Sequence, residues 1–221
     1  MTTTRRERYR EETRDEAKRI ALEQLAGLGV EGVSVNAIAK RMGVTGPALY
    51  RYFKNRDDLL TELIRDAWRD LAEAVEASVA DTADRPRDER VRGFADAYRA
   101  WAVHQPHRYL LLFGSPLPGY HAPQDTIALA HRTMSAFIGV LAESGPPARP
   151  VTPSGLDGQL REWARSRGEG EVDPAVLLTS VRAFTRLHGV LSLEVSGQFG
   201  PMGFDPALLY RAEVDSLVRG G

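Results

Sequence analysis

A chain of 221 residues without cysteine is long enough to bury a core without covalent staples, and it excludes thiolate chemistry and any zinc site built on sulfur. Its charges nearly cancel, 29 Lys and Arg against 30 Asp and Glu for a formal net charge of -1, so attraction to an anionic partner has to come from charge placement. Up to Arg56 basic side chains outnumber acidic ones, and the compensating negative excess lies in the remainder. The basic residues are mostly Arg, a bias that carries no functional weight. No apolar run opens the chain and no later stretch approaches the roughly 20 apolar residues of a membrane span, so a soluble, unprocessed, cytoplasmic protein is expected.

Apolar residues recur at three and four rather than at two, and no repeat of fixed period is present, which predicts an all-helical chain. The first helix is expected over 13–27, with Ala17, Ile20, Ala21, Leu25 and Leu28 along one face and Gly27 and Gly29 as the stop. The segment 5–14 ahead of it reads as a solvated, frayed terminus, because Glu7, Glu11 and Glu12 interrupt its arginines. Ser34 can cap a second, short helix whose Val35, Ile38, Ala39 and Met42 form one buried stripe ended by Gly43. Thr45 can cap a third, with Pro47 in its first turn and Leu49 and Phe53 facing inward. Lys54 and Asn55 break that helix. Asp57 and Asp58 then suit the first turn of a long fourth helix through Leu59, Leu63, Ala67 and Leu71.

Further helices are expected over 89–104, through Tyr109 to Phe113, and over 127–141, 156–165, 173–198 and 205–218. Loops fall at 114–123 and 144–153, where Pro and Gly gather. The stripe Leu177, Val181, Phe184, His188 and Leu191 predicts a continuous apolar seam on the helix over 173–198.

Two short helices joined by Gly43, Val44 and Thr45 and braced by a preceding helix make a helix-turn-helix, whose second helix can lie in a major groove. Gly43 supplies the positive φ of the tight turn, and Val44 is expected to plug the space between the helices. With Leu49 and Phe53 inside, Gly46, Pro47, Ala48, Tyr50, Arg51 and Tyr52 must face elsewhere. Tyr50, Tyr52, Thr45 and Ser34 can donate to phosphate oxygens, setting register. Asn36, Arg51 and the Gly46-Pro47-Ala48 edge are the candidates for base readout. Tyr50 and Tyr52 covering apolar surface is an equally weighted alternative.

The segment 34–60, SVNAIAKRMGVTGPALYRYFKNRDDLL, resembles the signature of TetR-family regulators. That resemblance implies backbone contacts from Ser34, Thr45, Pro47, Tyr50, Tyr52 and Arg56, and base-proximal positions at Asn36, Gly46, Ala48 and Arg51. Most members carry Lys where this chain has Arg56, so the phosphate contact is expected with altered geometry. In some members an N-terminal arm reaches an adjacent groove, the second role open to 5–14. The segments YRAWAVHQPHRY (98–109) and LHGVLSLE (187–194) resemble the WHG-type ligand-binding domain of a TetR subset, with Phe184 where that pattern has its name-giving Trp.

The expected organisation is therefore a three-helix DNA-binding domain over 1–56 and a larger helical effector-binding and dimerisation domain over 57–221. Trp101, His104, Tyr109, Phe113, Met134, Phe137, Phe184 and His188 are the candidate pocket lining, each also readable as plain core. His104 and His107 flank Pro106 and have no carboxylate nearby, so no metal is expected, and no cofactor either. Without a nucleophile elbow or a phosphate loop no catalysis is expected; the rival reading of an enzyme would need clustered titratable groups in a cleft. The expected function is a dimeric repressor, paired through its two C-terminal helices and released from a palindromic operator by a small-molecule effector. Activation rather than repression, without an effector, stays open.

Overall fold

The structure, a computed structural model, describes residues 4–114, 119–142 and 155–219. The regular structure of the described residues is all helical, and they form two compact units. One holds Met1–Ala67 with His107–Pro123, the other Trp68–Pro106 with Gln124–Gly221. The division falls inside the fourth helix rather than at the expected 56/57 boundary. The expected loop at 144–153 and part of that at 114–123 lie outside the described residues.

In the first unit α1 (Arg5–Leu28) is followed by a single 3-10 turn and then α2 (Val35–Arg41), α3 (Gly46–Leu49) and the start of α4 (Arg56–Asp81). Helix α1 begins eight residues earlier than its apolar stripe predicts. Thr4 Oγ1 accepts from the Glu7 amide and the Glu7 carboxylate accepts from the Thr4 amide, a capping box that satisfies two otherwise orphaned donors. The 5–14 segment is thus helical, not frayed, although almost wholly exposed. Ala17, Ile20, Ala21 and Leu25 are buried as the spacing predicts, whereas Leu28 is 69% exposed because the helix ends at it and Gly29 turns the chain away.

Helices α2 and α3 start on side-chain caps: Ser34 Oγ accepts from Ala37 N and Thr45 Oγ1 from Ala48 N, both at 3.4 Å. Between them Gly43 takes φ +69°, a conformation costly to any residue with a Cβ. Val44 closes the turn through its amide, 3.0 Å from Ala39 O, and its side chain is exposed instead of plugging the core. Val33, Val35, Ile38, Ala39, Leu49, Phe53, Leu59, Leu60 and Leu63 form the core of this unit. The segment after α5 (Arg87–His104) adds α6 (Pro106–Phe113), whose Tyr109 is buried against Phe113 with ring centroids 4.9 Å apart.

In the second unit α5, α7 (Gln124–Ala142), α8 (Leu156–Ser166), α9 (Pro174–Val195) and α10 (Pro206–Val218) pack with the later turns of α4. Phe94 on α5 stacks on Phe137 of α7 at 4.4 Å, and Tyr210 of α10 donates its hydroxyl to Ala95 O at 2.8 Å. The Arg99 guanidinium forks onto Glu194, at 3.1 and 2.5 Å, and lies over the Tyr210 ring, tying α5, α9 and α10 together. Leu177 and Leu191 of the expected seam are fully buried, together with Val176, Ser180, Ala183 and Leu187, whereas Val181, Phe184 and His188 are half-buried.

Candidate nucleic-acid interface

Burial of Leu49 and Phe53 turns the rest of α3 and its following turn outward. Ser34, Asn36, Thr45, Pro47, Tyr50 and Arg51 are exposed, and Gly46, Ala48, Tyr52 and Arg56 are half-buried. Tyr50 is 42% exposed, too much for a residue that only covers core. From Gly32 to Arg56 there is no acidic residue, so this strip presents Lys40, Arg51 and Lys54 without an interleaved carboxylate. Exposed hydroxyls, amides and cations in that arrangement suit phosphate oxygens and base edges.

Arg56 is placed differently from expectation. Its Nε donates to Val33 O at 3.0 Å and its Nη2 to Val30 O at 2.6 Å, so the first residue of α4 fastens the 3-10 turn before α2. A planar fork can serve two carbonyls at fixed spacing where a lysine ammonium cannot. The Arg at this position thereby has a structural reason, and its remaining Nη1 lies 3.9 Å from the Asp57 carboxylate.

Four residues hold the interface in roles that the sequence did not assign to them. Arg14 donates to Tyr52 O at 3.1 Å, pairs with Glu62 at 3.0 Å and lies 5.1 Å over the Phe53 ring, which fixes the turn after α3 against α1 and α4. Gln24 Oε1 accepts from Ser34 N at 3.0 Å. Asn55 Oδ1 caps α4 by accepting from Asp58 N at 2.8 Å, and the Asp58 carboxylate accepts in turn from Lys54 N at 2.9 Å. The spacing N-x-x-D was the available signal for that pair; nothing in the local pattern announces Arg14 or Gln24.

The expected pocket residues do not form one group. In the second unit Trp101 and Phe137 are buried, and Met134, Phe184 and His188 are half-buried. Phe184 stacks on His188 at 5.5 Å and 9° and on Tyr98 at 5.9 Å. Tyr98, fully buried and absent from the expected set, places its hydroxyl 3.1 Å from His188 Nδ1. Burial holds the His188 pKa below its ordinary value, favouring the neutral ring. His104 is exposed and hydrogen-bonds within its own helix, Nδ1 to Ala100 O at 2.7 Å, so it does not line this aromatic group. Tyr109 and Phe113 belong to the other unit, because the chain turns at Gln105 and Pro106. A concavity of about 720 Å³ in the second unit is lined instead by residues such as Ile127, His131, Arg132, Arg167 and Glu169.

A capped helix pair with a buried inner face and an acid-free outer one defines a helix-turn-helix DNA-binding protein. Comparison with known proteins specifies which. Residues 19–63 match the family model described as bacterial regulatory proteins, tetR family, and residues 91–217 match the one described as tetracyclin repressor-like, C-terminal domain. The chain is 36% identical over 212 residues to the HTH-type transcriptional regulator Rv1816 of Mycobacterium tuberculosis, covering 92% of this chain and 90% of that one. It is 46% identical to the regulatory protein SCO4313, whose crystal structure superposes with a TM-score of 0.84 over 97% of this chain and 98% of that one. A Rhodococcus sp. RHA1 protein of unknown function, 23% identical with a TM-score of 0.70 over 94% of each chain, shares the fold. The chain belongs to the TetR family of DNA-binding transcriptional regulators. Among the described residues no helix is long and apolar enough to cross a membrane.

Proposed function

We propose that this TetR-family chain acts in the cytoplasm as a dimeric repressor that grips a palindromic operator through α3 and lets go when a small molecule occupies its C-terminal helices. The observation that carries the reading is the exposed, acid-free strip running from Ser34 to Arg51 on two capped helices. Ser34, Thr45, Tyr50 and Tyr52 would fix register on phosphates, and Asn36, Arg51 and the Gly46-Pro47-Ala48 edge would read bases.

Pairing is supported by Leu193, Met202, Phe204 and Leu208, which are 45%, 63%, 45% and 61% exposed at the end of α9, in the turn after it and on the first turns of α10. So much apolar surface in one short stretch favours a two-fold partner that presents the same stretch. The effector reading rests on Tyr98 and His188, a polar pair within an aromatic group, able to orient a largely apolar ligand. Release requires that ligand to bind the two states of the protein unequally.

Footprinting on the DNA flanking its own coding region is the test. The expected result is a symmetric footprint with two half-sites one helical turn, about 34–36 Å, apart, lost in a Thr45→Ala/Tyr50→Ala variant. A wild-type protein that protects no duplex, or one that the variant equals, would rule the reading out. Substituting Leu208→Asp should shift the protein to monomer in sedimentation and abolish the two-fold footprint.

A further inference from the structure

We propose that the concavity between α7 and the turn that ends α8 is a second small-molecule site, built for an organic acid: one carboxylate carried on an apolar body. It lies apart from the aromatic group of Tyr98, Phe184 and His188, and it does not depend on the effector reading given to that group. At about 720 Å³ it falls within the roughly 300–1,000 Å³ typical of ligand sites.

One wall is a face of α7. Gln124, Ile127, Ala128, His131 and Ser135 recur at three and four and line the concavity, while Thr126, Thr133, Phe137 and Val140 bury the opposite side of the helix. Further along, Ile138 packs against Leu160 and Ala164 of α8. Because α8 ends at Ser166, the earlier turns of α7 stay uncovered, and Ile127 is 38% exposed.

The other wall is the end of α8. Gly168 N donates to Arg165 O and Glu169 N to Ala164 O, both at 3.1 Å, with Gly168 at φ +80°, a Schellman motif that fixes the turn. After the glycine, where such motifs often carry an apolar residue, this chain has Glu169. Its nearly buried carboxylate lies 2.6 Å from Nε2 of an equally buried His131, within ion-pair distance though not aligned as a hydrogen bond. The His131 ring stands edge-on to Trp163 of α8, with centroids 5.6 Å apart.

Two of the charged side chains in the lining thus face each other, and a third, Arg132, forks onto Glu76 at 2.9 and 2.5 Å. Arg167 differs: it is exposed, and its side chain makes no hydrogen bond or ion pair with any described residue. One unpaired guanidinium and one exposed isoleucine in the same concavity call for a ligand with an anionic end and an apolar end. A carboxylate takes the paired donors of Arg, and Ile127 with Ala128 takes the hydrocarbon. A cation would meet Arg132 and Arg167, while Glu76 and Glu169 are already engaged.

Octanoate serves as the probe and 1-octanol as its uncharged counterpart, each titrated into the full-length protein by isothermal titration calorimetry. One octanoate per chain is expected, bound about tenfold or more tighter than 1-octanol, the worth of hydrogen bonds to a charged group. Arg167→Gln should remove about tenfold of the octanoate affinity and leave that for 1-octanol unchanged, whereas Arg167→Lys should keep part of it. Ile127→Asn should weaken both probes. Circular dichroism should show helix content retained in all three variants, since both side chains are exposed. Phe184→Ala should bind octanoate as the wild type does. Absence of octanoate binding, equal affinity for acid and alcohol, or an affinity that survives Arg167→Gln would each overturn the site. Binding lost in Phe184→Ala and kept in Arg167→Gln would also overturn it, by moving the acid to the aromatic group, and the effector reading would then stand without it.

Discussion

A methyl group built on Gly46 would lie 2.8 Å from Oδ1 of Asn36, so the bare α-carbon at the start of α3 leaves room for the Asn36 carboxamide. Asn36 comes from α2 and Gly46 from α3, and the two occupy one space at the outer edge of the helix pair. The glycine's role here is close approach, since its backbone is not in the left-handed region.

Gly46→Ala should therefore displace Asn36 rather than unfold the domain. The carboxamide is the free end of an exposed side chain, so the change in stability should stay within about 0.5 kcal/mol. Base preference under Asn36 should shift by about 1–3 kcal/mol, the worth of one good bidentate base contact. In an Asn36→Ala background the same glycine substitution should do almost nothing to DNA binding. A double-mutant cycle on operator affinity checks this, and additive effects would show that the two residues act separately.

Arg56 is expected to matter first for folding. Its two bonds to Val30 O and Val33 O fasten the turn that sets α2 in place, and hydrogen bonds from a charged donor contribute about 1.5–3 kcal/mol each when well buried. The guanidinium is partly exposed, which reduces the pair to about 1–2 kcal/mol in total. Urea denaturation of Arg56→Ala should show that loss, and Arg56→Lys should recover only part of it. A variant with unchanged stability and reduced DNA affinity would instead mark Arg56 as a phosphate contact alone.

The helix-turn-helix was legible because its signals are local: a capping residue, a three- or four-residue stripe, one glycine. Ser34, Thr45, Gly43, Leu49 and Phe53 all sit where those signals put them. The start of α1 was not legible from periodicity, because residues 5–16 bury nothing and so show no stripe; only Thr4-x-x-Glu7 marked it. Val44 misled because an apolar residue in a tight turn suggests a plug, whereas its backbone amide is what closes the turn. Tyr109 and Phe113 follow Trp101 of the second unit closely in sequence, but the turn at Gln105 and Pro106 carries them into the core of the first. The polar pair Tyr98 and His188 spans 90 residues, a separation no local pattern reports.

His188 gives the protein a pH dependence of known sign. Burial lowers its folded pKa below the ordinary 6.5, so above that value the ring is neutral in both folded and unfolded chains and contributes no slope. As pH falls through about 6.5 the unfolded chain takes up its proton first, and stability declines until the folded ring titrates as well. Thermal melting between about pH 7.5 and 5 should therefore show a larger fall for the wild type than for His188→Gln. Equal falls would mean that His188 titrates alike in both states.

Phe137 and Phe184 were both expected to line a pocket, and their surroundings now separate them. Phe137 is fully buried and stacked on Phe94 at 4.4 Å and 15°, so truncation to Ala leaves a cavity costing about 3–5 kcal/mol. Phe184 is half-buried and leans on Tyr98 and His188, so its truncation should cost less, about 1–3 kcal/mol, in proportion to the smaller area removed from water. The consequence for ligand binding runs the other way. A compound that raises the wild-type melting temperature should lose that effect in Phe184→Ala, where the surface beside the polar pair is gone. In Phe137→Ala, melting should start lower but the compound should still raise it, because that ring is walled off by Phe94. Scanning the two variants with the same compound decides the matter: a shift abolished by Phe137→Ala and kept by Phe184→Ala would move the effector away from Tyr98 and His188 and toward the α5–α7 stack.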